Sequence, residues 1–170
     1  MKKGVNVQYF VEGEDEKKLV NTLKNELKVI IPGKIQKINV IQDIIGDTIL
    51  RTLKQGTVVV LIFDTDTNNV DTLDKNLVNL KKSRNVSDIV TIPQVNNLED
   101  ELKYCCNIRR ITELLNSRSA SEFKSDLIHI TNLANKLKEH SFNIERFWSR
   151  NPNSPYDHIT NNANKIKIKN

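Results

Sequence analysis

Acidic side chains gather where two apolar runs stop. Tyr9-Phe10-Val11 runs into Glu12-Gly13-Glu14-Asp15-Glu16, and Leu61-Ile62-Phe63 runs into Asp64-Thr65-Asp66-Thr67. Carboxylates are hard oxygen donors, and several converging on one point take a divalent cation such as Mg2+ or Mn2+. Asp64 and Asp66 flank Thr65, and alternate residues of an extended chain point the same way, so the pair can share one ion. Gly13 lets the chain turn sharply into a helix, leaving Glu12 at the run's end. Glu16 falls in the first helical turn and can point back toward the same place. Glu14 and Asp15 read as complements to the helix dipole, worth about 0.3–1 kcal/mol each.

Aspartates in this pattern occur in several unrelated sites, and three can be tested directly. A calcium-binding EF-hand loop starting at Asp64 needs glycine at its sixth position and glutamate at its twelfth, where this chain has Asn69 and Lys75. A haloacid-dehalogenase-type phosphatase places its aspartate after the first strand with Thr or Val four residues on, where this chain has Asn68. The glycine-rich Gly-Lys-Ser/Thr loop of P-loop nucleotide hydrolases is absent.

The acids need elements that carry them to a common place. Val5 to Val11 alternates and then turns apolar, as a strand entering a core does. Leu19, Leu23 and Leu27, with Val20, mark the helix that follows. After Pro32-Gly33, Lys37-Ile38-Asn39-Val40-Ile41 reads as a second strand, and a short helix is expected from Asp47 as N-cap to Gly56 as C-cap. Thr57 to Phe63 is apolar without alternation, the mark of a central parallel strand covered on both faces. Leu73, Leu77 and Leu80 predict a third helix, and Asp88 to Ile92 a fourth strand stopped by Pro93. This β-α-β-α-β-α-β order predicts an α/β fold: a mostly parallel four-stranded sheet of Rossmann-like type with flanking helices and right-handed crossovers. Ligands of such sheets bind beyond the carboxyl ends of the strands, where the acids lie.

Past Pro93 the pattern is helical. Asn97 caps a predicted helix through Leu98, Leu102 and Cys105 or Cys106 that continues into Ile108, Ile111, Leu114 and Leu115. Ser119-Ala120-Ser121-Glu122 is a capping-box candidate ahead of Phe123, Leu127, Ile130, Ala134 and Leu137. Residues 151–170 are polar, proline-punctuated and basic, and read as an irregular tail. The expected organisation is thus an α/β domain over 1–95, a helical extension over 96–150 packed on it, and the tail. Adjacent Cys105 and Cys106 neither staple a fold nor space zinc ligands, and read as small buried apolar residues.

The chain has 170 residues, enough for one well-buried core, with 38% hydrophobic and 28% charged residues. No apolar run reaches the roughly 18 residues of a membrane span. Nothing after Met1-Lys2-Lys3 has the apolar centre of a secretion signal, so the expected setting is cytoplasmic, without a membrane partner. The net charge of +5 lies wholly in residues 101–170, since residues 1–100 hold 14 basic and 14 acidic side chains. That asymmetry suits a polyanion, although a modestly basic face is also often only solvated. Lys136, Lys138, His140, Arg146 and Arg150 are candidates to line a nucleic-acid path, with Lys165, Lys167 and Lys169 of the tail suited to phosphates. Phe147 and Trp148 either stack on bases or pack an apolar cluster. His129, His140 and His158 are scattered and carry no catalytic assignment.

Glu12-Gly13-x-x-Glu16 after the first strand and Asp64-x-Asp66 after the third together resemble the TOPRIM domain over residues 4–95. That domain is shared by topoisomerases, bacterial primases, OLD-family nucleases and the recombination mediator RecR. The resemblance implies Glu12, Asp64 and Asp66 as the catalytic and metal-binding acids, and Glu16 makes the pattern closest to the OLD-type nucleases. Those often carry further acidic ligands after the fourth strand, where Glu99 and Asp100 either complete a second ion site or merely open a capped helix. The function implied is a Mg2+- or Mn2+-dependent nuclease, a hydrolase of phosphodiester bonds in DNA or RNA, with phage or mobile-element defence as its setting by analogy. The alternative is a non-catalytic, RecR-like module that binds nucleic acid or a protein; a homodimer or a partner protein is compatible with either. Primase-like nucleotidyl transfer and topoisomerase strand passage lack the domains they need.

Overall fold

Four strands form one parallel sheet: β1 (Val7–Val11), β2 (Lys34–Lys37), β3 (Thr57–Asp64) and β4 (Val86–Gln94), in the order β2-β1-β3-β4. The computed structural model describes residues 5–168, so Lys169 lies outside the described residues. Between the strands run α1 (Glu14–Asn21), continued by a π-helical turn at Thr22–Glu26, then α2 (Asp47–Thr52) and α3 (Asp71–Lys82). After β4 come α4 (Leu98–Cys105), α5 (Thr112–Leu115), α6 (Ala120–His129), α7 (Leu133–Glu139) and a 3-10 turn at Ala163–Lys165. The α/β sheet with flanking helices and C-terminal helices is as the sequence pattern predicts. No helix among the described residues is long and apolar enough to cross a membrane.

The two-residue period of the strands divides the core in two. Val7, Tyr9 and Val11 of β1, Val58, Val60 and Ile62 of β3, and Val90 and Ile92 of β4 face one layer, with Leu19 and Leu23 of the first helical segment and apolar residues of α4 to α7. Phe10, Val59, Leu61 and Phe63 face the other, with Leu73 and Leu80 of α3. β3 is buried from Thr57 to Phe63. At about 1.5–3 kcal/mol for each large apolar side chain taken from water, this strand is the element most strongly fixed in place. Its tip, Asp64, inherits that rigidity.

Several boundaries differ from the sequence expectation, each for a local reason. The second strand is Lys34–Lys37, not residues 37–41, because Asn39 Oδ1 accepts from the backbone N–H groups of Ile41 (3.0 Å) and Gln42 (3.2 Å) and turns the chain. Ile38, Val40 and Ile41 are still buried, but from a loop. Gly33 precedes this strand where a Cβ would stand 2.6 Å from the Val7 carbonyl oxygen, so only glycine permits the approach. β4 runs through Pro93 to Gln94, since β4 is an edge strand and an edge tolerates the missing N–H. Gly46 rather than Asp47 precedes α2, which ends at Thr52, short of Gly56. The predicted helix through residues 98–115 breaks after Cys105, and that through 120–137 breaks between His129 and Leu133. Asn97 and Ser119 cap as expected, accepting from Asp100 N (3.0 Å) and Glu122 N (3.2 Å).

The loop between β2 and α2 is tied to α3 by Asn76, which is fully buried. Its side chain accepts from Ile45 N (2.7 Å) and donates to the carbonyls of Val40 (2.9 Å) and Asp43 (2.8 Å).

Residues 151–168 carry no α-helix or sheet strand, yet they are anchored. Tyr156 and Ile159 enter the layer shared with α3, whereas Ala163 and Ile166 enter the opposite layer. Between them the segment crosses the free edge of β4: Asn162 N donates to Thr91 O at 2.8 Å, and Thr91 Oγ1 to Thr160 O at 2.6 Å. The wrap covers unpaired backbone of an edge strand. Beyond it, Ile31 N donates to Ile166 O and Ile168 N to Val29 O, both at 2.9 Å.

Candidate functional site

Parallel register places the acidic tips side by side. The first motif follows β1 directly, and its neighbour β3 ends at Asp64, whose partner on β4 is Gln94. Glu12 Oε1 accepts from Asp64 N at 3.2 Å, so the two motifs touch. Glu16 turns back over the helix start and accepts from Gly13 N at 2.9 Å. At Gly13 the space of a Cβ is filled by carboxylate oxygens, Asp15 Oδ1 at 2.6 Å and Glu16 Oε2 at 3.0 Å. Glycine thus lets these acids crowd the turn. Thr65 faces β4: its Oγ1 donates to Gln94 O (2.8 Å) and its N to Asn96 O (2.9 Å), stitching the two tips together. Asp66 lies just past the strand and is exposed.

Burial, and after it crowding, raises the proton affinity of these acids. Burial pushes Glu12 up to about 7; the Asp64 N–H partly offsets it, while the charges of Asp66 and Asp15 add to it. Asp64 is pushed up to about 8, mainly by burial and next by Glu12, against the Gln94 hydrogen bond. Glu16 is raised by burial and by its contact with Asp15. Lys124 of α6 stands 3.4 Å from Glu99 and 4.0 Å from Asp15. Partial burial opposes its charge, but the carboxylates outweigh that and hold its ammonium above its ordinary value.

The three acids that open α4 part company. Glu99 is the one whose charge reaches Asp64. Asp100 pairs with Lys103 at 2.6 Å and Asn96 at 2.7 Å. Glu101 is fully buried and accepts from Val95 N (2.9 Å), Trp148 N (3.2 Å) and Arg150 Nη2 (2.9 Å), a structural role. Of the candidate acids, then, Glu12, Glu16, Asp64, Asp66 and Glu99 form one electrostatic cluster, and Asp100 turns elsewhere. The donors are all carboxylate oxygens, the kind a hard divalent cation takes. Among the described residues no three His, Cys, Asp or Glu side chains stand close enough together to hold an ion as they are.

The candidate basic residues do not form one path. Arg146 and Arg150 both lie over the Tyr104 ring, 4.7 and 4.6 Å from its centroid, making a half-exposed cationic and aromatic surface. Lys136 pairs with Glu139 at 2.7 Å, and Lys138 is exposed. Lys165 pairs at 2.8 Å with Asp88, which pairs with Val58 near the start of β3, at the end of the sheet away from the acids. Lys167 is buried and donates to Glu145 O at 3.2 Å, so it offers no free charge to a phosphate. Phe147 and Trp148 are buried against each other, ring centroids 4.2 Å apart, and belong to the core. His158 lies 3.0 Å from Asp74.

Four contributors were missed by sequence reasoning or, like Trp148, read only as a stacking or packing ring. Gln94 Nε2 donates to Asp64 Oδ1 at 2.6 Å, and Trp148 Nε1 donates to Gln94 Oε1 at 3.1 Å. Tyr156, packed 6.1 Å from Phe63, places its hydroxyl 2.9 Å from Thr67 Oγ1. Lys124 is the fourth. Gln94 was open to discovery, since it closes a strand next to the one that ends in Asp64; the others carried no signal of spacing. No family model, curated protein or solved structure matches this chain, and what the structure establishes by itself is a four-stranded parallel α/β sheet flanked by helices, with further helices after it.

Proposed function

We propose that this chain is a TOPRIM-like, divalent-metal-dependent nuclease that hydrolyses phosphodiester bonds in DNA or RNA. One observation carries the reading: buried Glu16 and half-buried Glu12 and Asp64 lie beside Asp66 and Glu99, and burial first, with the charges of neighbouring carboxylates added to it, raises their proton affinity, a penalty on charge that a cation would relieve. Glu12, Asp64 and Asp66 would hold the ion, with Glu16 and Glu99 beside them. A divalent ion bound there would stabilise charge on the phosphate oxygens. Glu12 has one oxygen engaged by the Asp64 N–H, which leaves the other for the ion or, where Asp64 and Asp66 alone hold it, for work as a general base. The Tyr104, Arg146 and Arg150 surface offers stacking and charge to a nucleic-acid strand.

The test is cleavage of labelled single- and double-stranded DNA and RNA with Mg2+, Mn2+ or chelator. Cleavage that needs the ion and disappears in Asp64→Ala and Glu12→Ala supports the proposal; equal residual cutting by those variants refutes it. The separation of the carboxylates favours a second reading, a non-catalytic binding module. That reading expects nucleic-acid binding that weakens with salt and ignores chelator.

A further inference from the structure

Tyr104 is the most exposed aromatic residue among the described residues; the others are buried or half-buried. It lies one turn past Glu101 on α4, and two arginines from the segment after α7 share its ring, Arg146 at 4.7 Å and Arg150 at 4.6 Å from the centroid. Their guanidinium groups therefore stand within about 10 Å of each other, a distance at which ordinary salt does not fully screen like charges. Arg150 has a carboxylate against it, Glu101 at 2.9 Å, whereas exposed Arg146 has none among the described residues. Arg150 also keeps its place with its Nε buried and without an acceptor, so the ring and one carboxylate oxygen hold it rather than a full set of hydrogen bonds. Two cations gathered on one ring, one of them without a counter-charge, call for an anion.

The place of this group in the fold bears on what that anion is. Glu101 Oε1, which accepts from Arg150, also accepts from Val95 N, next to Gln94 at the strand end opposite Asp64. At about 1.5 Å per helical residue, Tyr104 stands about 7.5 Å along α4 from Glu99. An aromatic ring and guanidinium groups together offer a face to stack on and charge for a phosphate, the two features of a nucleic-acid strand. In a duplex the faces of the bases are already covered by their neighbours, so only an unpaired base has a face to offer.

Taking the nucleic-acid reading of this chain as its ground, we propose that Tyr104, Arg146 and Arg150 form the contact for a single strand of DNA or RNA in preference to a duplex. An unpaired base lies against Tyr104 and the guanidinium groups, and Arg146 pairs with a neighbouring phosphate.

The experiment measures fluorescence polarisation of a labelled oligothymidylate of about 16 nucleotides with the full chain, in chelator throughout. An abasic strand of equal charge, a duplex of equal length and a polyglutamate peptide serve as competitors, and wild type is compared with Tyr104→Leu and Arg146→Gln. Circular dichroism melts check that both surface variants fold. The expected result is that wild type prefers the unpaired strand to the abasic strand and to the duplex by at least about tenfold, and that Tyr104→Leu weakens binding roughly 5–100-fold, toward the abasic level. Arg146→Gln lowers the slope of log K against log salt by about 0.7, the share of one phosphate on a single strand. Equal binding of natural and abasic strands, equal binding of duplex, unchanged binding in Tyr104→Leu, competition by polyglutamate at equal charge, or no binding at all overturns the proposal. Because no ion is present, the outcome is separate from that of the cleavage assay. A chain that binds as expected but never cleaves keeps this inference and loses the nuclease reading, and one that cleaves with Mn2+ but fails these comparisons does the reverse.

Discussion

Asp64→Asn should make the protein more stable and less functional at once. Asparagine keeps the volume of the side chain and an oxygen to accept the Gln94 amide, but removes a charge from a crowded cluster. In the folded chain Asp64 is raised to about 8 from 3.8. A carboxyl raised in this way favours the folded state fully below the unfolded value, and that contribution is lost as pH rises through the folded one. At pH 7.5 the folded chain therefore holds a proton that the unfolded chain has released, at about 1.36 kcal/mol per pH unit, or about 5 kcal/mol if nothing screened it. Water at the cleft mouth and relaxation of neighbouring dipoles leave about 1–3 kcal/mol. For a chain of this size Tm then rises by roughly 3–10 °C in chelator at pH 7.5. Near pH 4.5 the gain shrinks below about 1 kcal/mol, because that pH lies less than one unit above the unfolded value of 3.8 and the folded chain's hold on the proton has only begun to count. Thermal unfolding of wild type and variant at the two pH values is the assay. A variant no more stable than wild type at pH 7.5, or equally stabilised at both, refutes the reasoning.

Added Mn2+ should raise the wild-type Tm more at pH 8 than at pH 5.5, because Glu12 (about 7) and Asp64 (about 8) are protonated at the lower value; an equal shift, read by scanning calorimetry, contradicts this. Glu101→Ala leaves half-buried Arg150 without its carboxylate and the N–H groups of Val95 and Trp148 without their acceptor, and should cost about 3–5 kcal/mol in urea unfolding, far more than an exposed ion pair would. Asn76→Ala orphans the buried groups of Ile45, Val40 and Asp43 and should cost about 2–4 kcal/mol, and a loss under about 1 kcal/mol would show the loop is held otherwise.

What the sequence disclosed and what it hid differ in kind. The run from Thr57 to Phe63 shows as a buried strand because both of its faces are apolar, and Asn97 and Ser119 show as caps because capping is a local act. The stretch from Ile38 to Ile41 misleads because a loop can bury apolar residues as a strand does, once Asn39 supplies the turn. Pro93 misleads because its exclusion from strands lapses at an edge, and which strand is at the edge is a property of the whole sheet. In the candidate site, Glu12, Asp64 and Asp66 could be singled out by residue type. Gln94 could be found only from its place at the end of the strand beside Asp64, and the parts played by Trp148 and Tyr156 could not be read at all, because an aromatic ring's hydrogen bond gains meaning only from the neighbours that topology gives it.

The wrap across β4 also orders events in time. Thr67 and Tyr156, whose hydroxyls meet beside the acids, are separated by 89 residues. At the usual pace of synthesis, roughly 5–20 residues per second, several seconds or more pass between the two leaving the ribosome. For that interval the acidic tips exist without the segment that brings Tyr156 to Thr67. On the proposed reading, a growing chain carries an unfinished centre past the nucleic acids around it and completes that centre only as its last described residues fall into place.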